Sequence, residues 1–203
     1  MSITFTEEAP ARPVIGPNAV TRMAQALSHR LGEGLCEEIF ASAGLAHYLR
    51  DPPTHMIPAE DVTRLHGETV ARLGEERAAA IGREAGRRTG DYLLANRIPI
   101  MAQRALKLLP RILAARILIS AIARHAWTFA GGGAFSYAFV PHLQLRIVGS
   151  PICQSLRTEA PACAYYAATF ERVFSEMLGP SVHVTEIECE ATGAPACVFD
   201  VRW

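Results

Sequence analysis

The apolar period of this chain changes once, near Arg124, and that change limits what it can build. Before it, apolar residues recur at helical spacing. After it, Trp127 and Phe129, then Phe135, Tyr137 and Phe139, then Leu143, Leu145 and Ile147 alternate as half-buried strands do. Gly131 to Gly133 and the pair Pro141-His142 supply the turns between these runs. Residues 158–179 return to an amphipathic helical pattern that closes at Gly179. Two further strands follow, about 182–189 and 197–203, joined by "EATGAPA". Helices first, then strands with one helix inserted, predict an α+β fold in which N-terminal helices pack on an antiparallel sheet.

The helical half subdivides by its punctuation. Residues 1–17 read as a loose arm, 18–124 as the helical part and 125–203 as the sheet-containing part, the last two expected to form one compact unit. A first helix starts at Pro17-Asn18 and stops at Gly32, a shorter one follows, and a loop carries Pro52, Pro53 and Pro58. The next helix runs to about Leu73, with Glu60 and Asp61 in its first turn, where the helix dipole favours acids. Then Ala78, Gly82, Gly86 and Gly90 recur every four residues on one helical stripe. Each interior glycine costs ~1 kcal/mol relative to alanine, so the stripe needs a compensating reason. Either a second helix packs closely there, or the stripe is a flat wall for a planar ligand. Residues 99–126 read as one long helix kinked at Pro110.

The formal net charge is zero, which argues against nucleic acid as a general partner. The charge is unevenly spread, however. From Arg77 to Arg124 ten Lys and Arg face only Glu84 and Asp91, whereas after His125 four Arg face seven acids. A basic middle and an acidic end suit pairing within the fold or a homodimer, and the basic region suits an anionic ligand or a membrane surface. The first residues lack the basic patch and apolar run of a signal peptide. Lys107, Pro110, Arg111 and Arg116 interrupt the most apolar segment before it could span a bilayer. Five cysteines, an odd number, suit a reducing compartment. A soluble cytoplasmic protein is the expectation, with the basic region open to peripheral membrane contact.

Cys189 and Cys197 flank the turn at Thr192-Gly193, so a hairpin brings both sulfurs to one point. Glu186 lies three residues before Cys189 and would join them only if the strand is distorted. Cys163, near the start of the last helix, completes a four-ligand set suited to zinc, although buried cysteines are also common as small core residues.

The run Glu186, Cys189, Gly193, Cys197 and Phe199, with the earlier Cys163 in "CAYYAATF", resembles the four-vinyl-reductase domain family. The likeness is strongest over roughly 120–203, and the helical half is similar to the full-length 4-vinyl reductase members that serve bacteriochlorophyll biosynthesis. It implies a fold like that of the vesicle-tethering TRAPP subunits and of haem nitric-oxide sensors, commonly dimeric. It also implies a structural zinc held by Cys163, Glu186, Cys189 and Cys197. Cys36 and Cys153 match nothing in the family pattern and are read as core residues.

The family name implies reduction of a vinyl group, yet the residues supply no chemistry for it. "GGGAF" at 131–135 lacks the G-x-G-x-x-G spacing and is followed by a strand, not a helix. The four cysteine and glutamate positions fit a redox-silent zinc better than an iron–sulfur cluster. The preferred reading is a carrier or accessory protein that binds a tetrapyrrole, a magnesium-porphyrin or protochlorophyllide, and passes it between bacteriochlorophyll pathway enzymes. A reductase of divinyl protochlorophyllide and a small-molecule sensor are the alternatives. Candidate ligand walls are Gly82, Gly86, Gly90, Trp127, Phe129, Phe135 and Tyr137. Arg104, Lys107 and Arg111 are candidates for the propionates, and His125 and His142 for a central magnesium.

Overall fold

The computed structural model describes residues 12–139 and 141–203, so the expected arm at 1–17 falls mostly outside the described residues. Eight α-helices are described: α1 (Asn18–Leu31), α2 (Glu33–Ser42), α3 (His47–Arg50), α4 (Ala59–Leu73), α5 (Glu75–Asn96), α6 (Ile100–Lys107), α7 (Arg111–Arg124) and α8 (Ala164–Leu178). The short strands β1 (Val14–Ile15) and β2 (Ile57–Pro58) pair with each other. A second, fully antiparallel sheet has the order β3 (Ala134–Phe139), β4 (Leu143–Val148), β6 (Cys197–Arg202), β5 (His183–Glu188). The architecture is the expected mixture of helices and antiparallel sheet, with α8 as the inserted helix.

In β4, Leu143, Leu145 and Ile147 are buried while Arg146 and Val148 are exposed, the alternation read from the sequence. The buried face meets α8, whose Phe170 and Tyr166 rings lie 5.6 and 6.3 Å from Phe199 of β6. On its other side α8 packs along α5, and here the glycine stripe finds its reason. A Cβ built on Gly86 would stand 2.2 Å from the Tyr165 carbonyl oxygen and 2.9 Å from the Ala168 Cβ. One on Gly90 would stand 2.6 Å from the Arg172 Cβ. Only glycine lets the two backbones approach this closely. The Thr169 hydroxyl donates to the Gly86 carbonyl (3.1 Å), and Thr89 and Tyr165 share a buried hydrogen bond of 2.8 Å. The stripe is therefore a helix–helix seam filled by α8, and the flat wall for a ligand is not there.

Two local expectations change. The long helix at 99–126 is two helices. Pro110 adopts ψ 136°, which leaves the helical region altogether, and α6 ends in tight turns at Leu108 and Leu109. Trp127 lies in a turn of 3-10 helix (Ala126–Thr128), not in a strand. The Thr128 hydroxyl donates to the His125 carbonyl, and the Gly16 N–H donates to the Thr128 carbonyl, so these backbone polar groups are satisfied without a sheet partner.

Candidate functional site

Four elements converge on one buried group of sulfurs. Cys197 opens β6, and its strand register opposite Ile147 places it beside the end of β4. Just past β4 the chain reverses at Gly149 (φ 71°), and the following turn returns Cys153 to the same point. Cys163 is the residue immediately before α8, and Cys189 follows β5. The four Sγ atoms all lie within 4.8 Å of one another and all four residues are buried. Cys197 is 3.4 Å from Cys153, 3.4 Å from Cys163 and 3.8 Å from Cys189. A tetrahedral metal with metal–sulfur bonds of about 2.3 Å spaces its sulfurs by roughly 3.8 Å, so the set has the dimensions of a metal–thiolate tetrahedron.

Supporting groups fix this arrangement. The Glu190 carboxylate accepts the backbone N–H groups of Gly149 (2.6 Å) and Ser150 (2.8 Å), tying the Cys153 turn to the β5–β6 connection. The Ala162 N–H donates to Cys189 Sγ at 3.4 Å. The Cys189 thiol is pulled far below the ordinary range by hydrogen bonds from Cys153, Cys163 and Cys197. Cys163 and Cys197 are pushed above it, first by Cys153 and further by Cys189 and burial. Four sulfurs this close cannot all ionise on their own; a dication removes the conflict.

Glu186 does not occupy the corner expected of it. The strand distortion that its approach requires is present, as a register shift between Glu186 and Glu188. Its Oε2, however, accepts the Cys163 N–H at 2.8 Å, and Oε1 is buried with no described hydrogen-bond partner. Burial and the neighbouring Cys189 push its carboxyl up to about 9. The fourth sulfur is Cys153, which the family pattern leaves in the core. It stands ten residues before Cys163, a spacing that belongs to no knuckle pattern. The signal that locates it is tertiary, the turn at Gly149 beside Cys197. Cys36 is buried apart from this group, with its thiol directed at the Ala24 carbonyl.

The expected ligand-binding residues do not gather in one slot. Gly82, Gly86 and Gly90 face α8. Phe129 and Phe135 stack edge to face at 5.3 Å and continue through Phe170 into the core. Trp127 and Tyr137 are exposed. His125 is exposed at the end of α7, not at a strand edge, with Nδ1 2.9 Å from the Ala121 carbonyl, and His142 is exposed in the β3–β4 turn. Arg104 is exposed. Lys107 and Arg111 do share a site, an open groove of about 770 Å³ bordered by Leu109, Met177 and Gly179. There Lys107 pairs with Glu176, and Arg111 reaches the Ser181 hydroxyl at 3.3 Å. A second open groove of about 590 Å³ lies beyond Arg172, between the ends of α5 and α6.

Comparison with known proteins fits these features. Residues 143–203 match the four-vinyl-reductase domain, the segment that supplies β4, β5, β6, α8 and all four sulfurs. The chain is 41% identical over 187 residues to the bacteriochlorophyll synthase 23 kDa chain of Cereibacter sphaeroides, covering 92% of this chain and 89% of that one. It is 35% identical to the protein of the same name from Rhodobacter capsulatus, covering 92% and 86%. Among solved structures, a member of the haem-containing H-NOX family superposes with a TM-score of 0.56 at 14% identity, covering 93% of this chain and 95% of that chain. The phenol-responsive sensory domain of the activator PoxR gives 0.53 at 16% identity, covering 71% and 74%. These structures share the fold. By sequence, the chain belongs to the family of the bacteriochlorophyll synthase 23 kDa chains, with a four-vinyl-reductase domain at its C-terminal end.

Proposed function

We propose that this protein is a zinc-pinned accessory protein of bacteriochlorophyll biosynthesis that binds a magnesium-porphyrin or protochlorophyllide and passes it to a pathway enzyme. The observation that carries the reading is the closed, buried sulfur set within a chain whose full-length relatives are named as bacteriochlorophyll synthase chains. Zinc in a four-thiolate site has no open position for substrate; it supplies cohesion rather than catalysis. Cys153, Cys163, Cys189 and Cys197 would hold it, joining the end of β4, the start of α8 and the β5–β6 hairpin. That junction fixes α8, whose far end forms one wall of the groove lined by Lys107 and Arg111.

In this reading the two cations meet the pigment's carboxylates, and the apolar lining from Leu109 and Met177 meets its ring edge. Kinship in fold with the haem-containing H-NOX family supports a tetrapyrrole as the ligand class. Association with pathway enzymes, a homodimeric assembly and a location beside the photosynthetic membrane belong to the same reading. Among the described residues no helix is long and apolar enough to cross a membrane.

The test is to mix purified protein with divinyl protochlorophyllide and reduced nicotinamide, gel-filter, and weigh the co-eluting pigment by mass spectrometry. Unchanged pigment travelling with the protein is the expected result. Pigment heavier by two hydrogens would make the chain a reductase, and pigment that does not co-elute would refute the carrier.

A further inference from the structure

From Tyr92 to Thr158 the chain contains eight Lys and Arg and not one Asp or Glu. This stretch forms α6, α7, β3 and β4, and it also carries most of the large apolar side chains left in solvent. Leu108 is 86% exposed, Met101 68%, Ile100 58%, Ile112 50% and Ile117 46%. α7 is apolar on both sides. Ala114, Ala115, Leu118 and Ile119 face the protein, while Leu113 and Ile117 lie on the opposite face with Arg116 and Arg124. A helix apolar all round normally has something against each side. Trp127 (61% exposed) and Tyr137 (39%) stand at the edges of this region, on the turn after α7 and on β3, which packs against α7. Arg104, Arg116 and Arg124 make no ion pair among the described residues.

We infer that the outer face of α6 and α7 is the surface by which this protein docks on an anionic lipid bilayer. The inference rests on the proposed function only for its biological sense and holds with or without a bound pigment. Exposed Leu, Ile and Met set among cations, with an indole and a phenol at the border, match the acyl region, anionic headgroups and interface in turn. Charge also selects the occupant. A second copy docking through this face would set two acid-free basic surfaces against each other, whereas anionic headgroups neutralise them. The groove lined by Lys107 and Arg111 opens beside this face, between Leu108 and Ile112, so a membrane-borne pigment would enter it from the bilayer side.

The experiment is co-sedimentation of the pigment-free, full-length protein with vesicles of phosphatidylcholine alone or mixed with phosphatidylglycerol, across a salt series. The structure predicts binding to the anionic vesicles that weakens as salt rises, and little binding to the neutral ones. Arg104→Gln and Arg124→Gln should each weaken it about fivefold. Leu108→Asp and Ile117→Asp, at positions outside the groove and the core, should each weaken it about tenfold while leaving the melting temperature near that of the parent. No binding at low salt, or equal binding to both vesicle types, would overturn the inference. So would sedimentation equilibrium showing a dimer that these same substitutions dissociate, because a second copy would then cover the face. Failure of pigment binding is scored separately, by gel filtration.

Discussion

Gly86→Ala should destabilise this protein, although the same exchange stabilises most helices. Alanine in a helix interior gains ~1 kcal/mol over glycine. At Gly86, however, the new methyl would lie 2.2 Å from the Tyr165 carbonyl oxygen and 3.1 Å from the Thr169 N–H nitrogen, and both are backbone atoms of α8 that cannot swing aside. Relief requires α8 to move away from α5, loosening the Thr169 and Tyr165 hydrogen bonds across the seam. Overpacking of this kind costs roughly 1–3 kcal/mol, and more where backbone must shift. The expected net loss is about 2 kcal/mol, a fall in melting temperature of roughly 4–8 °C for a chain of this size. Gly82→Ala is the control on the same stripe. Its methyl would meet the Tyr165 nitrogen at 3.4 Å, an ordinary contact, so the variant should match or slightly exceed the parent. Thermal unfolding followed by circular dichroism reads both. If Gly86→Ala is as stable as Gly82→Ala, α8 does not fill the stripe, and the ligand wall rejected above returns.

Two further perturbations test other parts of the structure. His66 is buried, its Nε2 has no described partner, and burial lowers its pKa to about 4, against 6.5 for an ordinary histidine. The neutral ring is the folded form, so its contribution is complete above pH 6.5 and is lost as pH falls through the window down to about 4. The loss should reach roughly 3 kcal/mol, and His66→Gln should flatten that part of a stability-versus-pH curve. Glu190→Ala removes the carboxylate that holds the Gly149 and Ser150 N–H groups and so frees the turn carrying Cys153. Zinc affinity, measured by competition with a chromophoric chelator, should fall about 10–100-fold, as for other residues that orient metal ligands.

Much of the fold is written locally. Gly32 and Gly179 end α1 and α8 with positive φ, where a side chain would be strained, and the alternation of Leu143, Leu145 and Ile147 marks the inner face of β4. The glycine spacing announces a close approach but cannot name the partner, because nothing in α5 itself says that α8 returns to it from the far end of the chain. Pro110 announces an interruption. Whether a proline kinks or breaks a helix depends on what the flanking turns can pack on, and here α6 and α7 each find their own place against α8. Trp127 obeys the period-two pattern by coincidence, in a segment too short to test it. At the site, Cys163, Cys189 and Cys197 are legible because two flank a turn and one starts a helix. Cys153 is not, because it arrives through a turn whose position depends on the β4–β6 register.

The most direct test of the central claim is the metal itself. Protein purified without added metal should contain one zinc per chain, and its cobalt-exchanged form should show the intense charge-transfer and red-shifted ligand-field bands of four-thiolate coordination. Cys153→Ala should lower metal content or shift those bands, while Glu186→Gln should leave both intact. Metal-free protein, or zinc lost with Glu186→Gln and kept by Cys153→Ala, would contradict the account.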